Sequence, residues 1–406
     1  MGRPVIEIGR PTASGNANAT VVPNPTRASL REVASLFFRL GLTAFGGPAG
    51  ATALMRDEVV RRRRWVTEQR FLDLLGVSNI IPGPSATELA MFLGRERAGW
   101  LAFGLAGLLY ILPSTAIVLA LAWSYVRFGA TPQAIWILAG VKPVIVAVLV
   151  QAVWGLGRSA VKGPFVGIVG VAAFVLYLFG LDPIVLLLAA GAVVLLVRNA
   201  ERLRQGGAVA LGFPGLAIEQ LALGAIVPAM PFSLGLLFVT CLKIGALLFG
   251  GGYVLIALLR PEFVEGLGWV SDAQLLDAVA VGQITPGPLS TAATFLGYLV
   301  GGVPGALVAT AGIFLPSFAV AAVASPAVSR LRGSVWTSAF LDGVNVAAVA
   351  LMAGVTWQLG RIAIIDWPGG AAFVVAAVLL LKFRAPSVYL VIVGAVLGLL
   401  RHLLAA

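Results

Sequence analysis

Histidine and cysteine are almost absent from this 406-residue chain, which has one of each, His402 near its end and Cys241. A lone cysteine excludes an internal disulfide and reads as a small buried residue, and a lone histidine excludes a histidine-based metal site or triad. Charge is scarce as well: charged residues make up 11% of the chain against 59% hydrophobic. No water-soluble domain of this length needs such a balance to fill its core. Strand alternation is also missing, while apolar stretches long enough to cross a hydrocarbon layer of about 30 Å, roughly 20 helical residues, recur from Leu36 onward. The spans are therefore helices. Residues 1–30, rich in Pro, Asn, Thr and small residues, lack the apolar core of a cleavable signal peptide and are expected to form a disordered cytoplasmic tail.

The formal charge is +11, yet the basic residues sit in short loops between apolar segments and not on one polar face. That pattern sets membrane topology and excludes a nucleic-acid partner. No motif calls for a cofactor. A phosphate loop fails because neither the Gly-Lys-Ser/Thr ending nor a strand-turn-helix context is present.

What the chain does have is a repeat. At one register Arg39 falls on Lys243, Gly41 on Gly245, Phe45-Gly46-Gly47 on Phe249-Gly250-Gly251, Glu58 on Glu262, Asp73 on Asp277 and Pro82-Gly83-Pro84 on Pro286-Gly287-Pro288. After a one-residue gap, Phe92-Leu93-Gly94 meets Phe295-Leu296-Gly297, Leu112-Pro113-Ser114 meets Leu315-Pro316-Ser317, and Trp154 meets Trp357. The expected organisation is a first repeat over 31–198, a linker over 199–239 and a second repeat over 240–406. Residues 56–70 carry six arginines, which the positive-inside rule places in the cytoplasm. The equivalent 260–274 keeps only Arg260, beside Glu262, Glu265 and Asp272. A loop that loses its arginines on duplication belongs on the other side, so the expected fold is an all-α polytopic membrane protein whose two homologous halves form an inverted-topology repeat with broken or re-entrant helices. Full spans are expected near 101–126, 134–155, 164–181 and 183–197, and inversion requires part of 207–231 to cross once more.

Proline removes a backbone donor, so each Pro-Gly-Pro interrupts a helix at membrane depth, where irregular backbone survives only inside protein or beside a wet cavity. The half-helix that follows offers free N–H groups and a partial positive charge, an arrangement suited to an anion. The expected substrate-binding residues are Pro82, Gly83, Pro84, Ser85 and Thr87 in the first copy and Pro286, Gly287, Pro288, Ser290 and Thr291 in the second. The hydroxyls would cap the half-helix or donate to a tetrahedral oxyanion. Gly46, Gly47, Gly250 and Gly251 lie in glycine-rich breaks that let backbone approach backbone or substrate. Arg39 and Lys243 are equivalent cations inside apolar segments; two cations near a pseudo-twofold axis would balance one dianion, while snorkelling to the interface is the structural alternative. Glu88, without an acidic counterpart, reads either as a coupling group or as a partner of Arg95 or Arg97. Lys142 and its equivalent Asn345 are further coupling or gating candidates, and Asp73 and Asp277 are expected to bond near helix ends.

Phe45-Gly46-Gly47-Pro48, Asn79-Ile80-Ile81-Pro82-Gly83-Pro84 and Gln283-Ile284-Thr285-Pro286-Gly287-Pro288, in a duplicated layout, make the chain resemble the chromate ion transporter family from about Leu30 onward. The second glycine-rich break departs from the first, ending in Gly252 where Pro48 stands. The resemblance implies the long, two-domain form, a multi-pass protein of the bacterial inner membrane that exports chromate, with sulfate as the related dianion. The partners it implies are the oxyanion, the lipid bilayer and, for a homodimer, a second copy of the chain. An anion channel and an intramembrane enzyme using Lys142 or Lys243 beside a serine are the competing readings.

Overall fold

The start signals of several helices are local. Thr131 accepts from the Ala134 N–H with Pro132 in the first turn, Ser271 and Gln274 form a capping box, and Asp366 accepts from Gly369 N at 2.9 Å. The computed structural model describes residues 27–45, 47–205, 231–249, 252–325 and 335–405. The expectations for the tail before residue 27, for Gly46, Gly250 and Gly251, and for a crossing within 207–231 up to residue 230 lie outside them.

In the first half α1 (Arg27–Thr43) breaks before α2 (Gly47–Arg56), which runs into a π-helical turn, Asp57–Arg62. α3 (Glu68–Ser78) ends at the first Pro-Gly-Pro, and α4 (Ser85–Phe128), α5 (Pro132–Ala160), α6 (Pro164–Leu178) and α7 (Pro183–Gln205) follow. The second half repeats the order with α8 (Leu234–Ala246), α9 (Leu255–Leu259) and its π-helical turn Arg260–Gly266, then α10 (Asp272–Ile284) and α11 (Ala292–Ala324). It closes with α12 (Val335–Ala363), α13 (Trp367–Leu381) and α14 (Ser387–Ala405). The described residues contain no strand. Both long helices bend at matching glycines, Gly99 (φ 77°) in α4 and Gly302 (φ 60°) in α11.

Among the described residues, five helical segments are long and apolar enough to cross a membrane: Ser85–Phe128, Pro132–Ala160, Pro183–Ala200, Leu289–Ala324 and Trp336–Ala363. The full span expected over 164–181 is realised as α6, only 15 residues. At about 1.5 Å per residue it falls short of a hydrocarbon layer of about 30 Å.

The halves are interwoven. α1 packs on α4 and α8 on α11, and α4 and α11 pack on each other at the centre. α5 lies against α13 and α14 of the second half, and its counterpart α12 lies against α6 and α7 of the first. Polar ties follow the same exchange: buried Asp342 on α12 pairs with Lys162, at 2.7 Å, and with Arg198. The close approach of α1 to α4 needs Gly41, where a Cβ would stand 2.7 Å from the Tyr110 carbonyl oxygen; Gly245 meets the Ile313 carbonyl of α11 in the same way.

Candidate functional site

Proline at 82 and 84, and again at 286 and 288, stops α3 and α10 and leaves a short non-helical turn before α4 and before Leu289–Thr291. The central glycines adopt φ of 145° (Gly83) and 95° (Gly287), the region that residues with a Cβ avoid. Each turn is stitched to the opposite half. Gly83 N–H donates to the Leu248 carbonyl at 2.7 Å, and Gly287 N–H donates to the Ala44 carbonyl at 3.0 Å. Ala44 and Leu248 are equivalent positions in the two glycine-rich breaks, so the exchange is reciprocal, as a pseudo-twofold axis requires.

A narrow cleft at this crossing, with a cavity volume of about 10 Å³, touches Gly47, Pro84 and Ser85 from one half and Gly252, Gly287 and Pro288 from the other. It thus brings both Pro-Gly-Pro turns and both glycine-rich breaks to one place. The helix starts beside it are bare: no side chain caps α4 or the turn Leu289–Thr291, so their first N–H groups keep their donor capacity. The expected caps at Ser85 and Ser290 are therefore not made. Thr87 Oγ1 and Ser290 Oγ are fully buried without a protein hydrogen-bond partner, and so are Tyr110 Oη and Gln283 Nε2. Buried polar groups of this kind call for a partner. Thr291 Oγ1 bonds the Pro288 carbonyl at 2.9 Å and lies 3.2 Å from Ser114 Oγ.

Glu88 is wholly buried, with Oε1 accepting from Ser317 Oγ at 2.9 Å. The sequence pairing with Arg95 or Arg97 is not formed, because two or more helical turns, over 10 Å of rise, separate them. Arg97 pairs with Glu32 at 2.8 Å, and Arg95 bonds Ser325 and lies over the Trp100 ring at 4.2 Å. Since Ser114 and Ser317 are equivalent, Glu88 and Thr291 occupy the same place in the two repeats. Sequence pairing across the one-residue gap had left this equivalence hidden.

Arg39 and Lys243 do sit at equivalent places, each held by a carboxylate of its own repeat: Arg39 by Glu58 at 2.7 Å, Lys243 by Glu262 at 2.5 Å. Both are about half exposed and neither lines the cleft. Glu58, at the foot of the arginine cluster, also meets Arg62 and Arg63 at 3.1 and 3.2 Å. Burial pushes its carboxyl up, but the Arg63 hydrogen bond and the charges of Arg39 and Arg62 hold it below the usual range.

Lys142 lies 3.5 Å from buried Asp277, which also accepts from Tyr125 Oη at 2.9 Å. The expectation that Asp277 bonds near a helix end is corrected, since it sits within α10 and ties α4 and α5 to the opposite half. Asp73 accepts from Gln69 at 3.2 Å. Asn345 Oδ1 is buried without a partner on α12. Lys142 and Lys243, the lysines of the serine-lysine reading, both lie against carboxylates. Cys241 is free and buried.

Helices long and apolar enough to cross a membrane, with paired breaks that cross between two copies of one unit, fit a multi-pass membrane transport protein. The family model described as Chromate transporter matches residues 31–195 and again 235–399. The chain is 32% identical over 391 residues to the chromate transport protein of Cupriavidus metallidurans, covering 95% of each. It is 33% identical to the chromate transport protein of Pseudomonas aeruginosa, covering 87% of this chain and 86% of that one. The uncharacterized transporter YwrA of Bacillus subtilis is 29% identical over 38% of this chain but 89% of its own, so one repeat is nearly a whole protein there. No solved structure matches. This chain belongs to the chromate transporter family, in its long two-repeat form, and is a multi-pass protein of the bacterial inner membrane.

Proposed function

We propose that this chain is a secondary transporter exporting chromate, or a related tetrahedral oxyanion such as sulfate, and that the oxyanion is held in the cleft where the Pro-Gly-Pro turns cross. The observation that carries this reading is the reciprocal bond from Gly83 to Leu248 and from Gly287 to Ala44. It holds two uncapped helix starts together, with Ser85 lining the cleft and the hydroxyls of Thr87, Ser290 and Thr291 buried in the turns that follow. Pro82, Pro84, Pro286 and Pro288 keep backbone donors free of helix bonding there, and Gly47, with Gly46, Gly250 and Gly251 beside it in sequence, lets the anion reach backbone. Arg39 and Lys243 act at the approaches, each trading its carboxylate for the anion as it passes. Inverted threading puts one such pair toward each face of the membrane, and Lys142 and Asn345 flank the moving interface.

A dianion leaving a cell that is negative inside is driven by about 2.3 kcal/mol per charge per 100 mV, so no nucleotide hydrolysis is needed. The test is uptake of radiolabelled sulfate into proteoliposomes, competed by chromate, molybdate, phosphate and chloride. Saturable uptake blocked by chromate and molybdate but not by chloride supports the reading. Fast, unsaturable conductance would make the protein a channel, and absence of flux for every oxyanion would reject the proposal.

A further inference from the structure

Glu88 lies behind the first Pro-Gly-Pro turn, against Gly83, and forms no ion pair among the described residues. Its Oε1 lies so close to the Gly83 Cα that a Cβ there would collide with it, and the same Cβ would fall 2.7 Å from Ser317 Oγ. The side chain is wholly buried, Oε2 has no hydrogen-bond partner, and Ser317 from α11 is the one polar side chain that reaches it among the described residues. Among the described residues, no arginine, lysine or second carboxylate forms an ion pair or hydrogen bond with it. A buried carboxylate without a cation is very costly, and an anion seated against the Gly83 turn would add like-charge repulsion at close range. The equivalent place in the other repeat is Thr291, paired with Ser114, so at this position only the first repeat carries a carboxyl group.

We propose that Glu88 is the proton carrier of the transport cycle: the oxyanion and one proton, held on the Glu88 carboxyl, occupy the cleft together and leave together, through the first-repeat half-site alone. This rests on the reading of the cleft as the oxyanion site. The step is a protonation of the carboxylate on loading and its reversal on release, and no other co-reactant takes part. The duplicated fold supplies two similar cradles, and the single difference between glutamate and threonine makes the coupling one proton per cycle.

The experiment uses the full-length protein in proteoliposomes with a trapped pH-sensitive dye, the membrane potential being clamped. Sulfate is the probe, because it does not titrate near neutral pH, with chromate run in parallel. Inward anion flux through the wild type is expected to acidify the lumen, and Glu88→Gln is expected to abolish the proton moved per anion at whatever rate of anion flux it retains. Wild-type flux without a pH change, or with alkalinisation, would overturn the inference, as would acidification that survives in Glu88→Gln. Absence of flux for both anions in the wild type would instead reject the transport reading itself. Should Glu88→Gln fail to fold or to move anions, Ser317→Ala decides. Losing the one hydroxyl partner of the carboxyl should displace the pH midpoint of wild-type-like flux, and an unchanged midpoint would count against Glu88.

Discussion

At the scale of single residues, the turn glycines tolerate the least. Gly83 and Gly287 sit at positive φ, and a Cβ at Gly287 would fall 2.7 Å from Ser114 Cβ. Gly83→Leu or Gly287→Leu is therefore expected to lower oxyanion affinity tenfold or more, about 1.4 kcal/mol or above, while the protein still inserts. Wild-type affinity in either variant, measured by equilibrium binding in detergent, would remove the turns from the site. Arg39→Gln and Lys243→Gln should slow uptake at normal expression, and unchanged flux would leave these cations a purely structural role. Glu58 adds a pH dependence. Its carboxyl lies below the ordinary value in the folded protein, so its contribution is complete above the unfolded value of about 4.3 and is lost as pH falls through the lower folded one. Thermal stability in detergent should decline on acidification below that point, and less so in Glu58→Gln.

At the scale of elements, what matters is how helices of one half are fixed to helices of the other. Asp342 of α12 is buried and holds both Lys162 and Arg198 of the first half. Removing Asp342 leaves Lys162 and Arg198 without their carboxylate, and the partial exposure of both cations keeps the cost below the roughly 3–5 kcal/mol of a fully buried pair. Asp342→Ala should lower the melting temperature in detergent clearly more than truncation of an exposed partner such as Glu68, whose pair with Arg56 is nearly half exposed. Equal effects would mean that the tie between α12 and the first half contributes little.

At the scale of the whole molecule, the claim is that two copies of one unit are threaded in opposite directions. The arginine cluster at 61–64 and its acidic counterpart then face opposite sides of the membrane. Single cysteines at positions 63 and 267, in a chain with Cys241 replaced, should react with an impermeant thiol reagent from opposite faces of intact and inverted vesicles. Labelling of both from one face would replace the inverted arrangement by a parallel one. The interwoven packing of α5 on α13 and α14, and of α12 on α6 and α7, also argues that the repeats do not move as separate blocks. Any alternation of access involves the central α4 and α11 and the turns between them.

Much of this was legible in the residues alone: helices follow from unbroken apolar length, the repeat from matched charges and prolines, the breaks from Pro-Gly-Pro, and the family from all three together. Those signals are local or periodic, and a linear chain displays them in full. The tertiary structure alone decided the contacts between halves. It set Gly83 on Leu248 and Gly287 on Ala44, gave Arg39 and Lys243 to Glu58 and Glu262, drew Asp277 away from a helix end toward Tyr125 and Lys142, and matched Glu88 with Thr291. Side chains far apart in sequence are brought together by helix packing, whose geometry depends on the shape of every neighbour at once. No spacing along the chain records which carboxylate a given cation will reach.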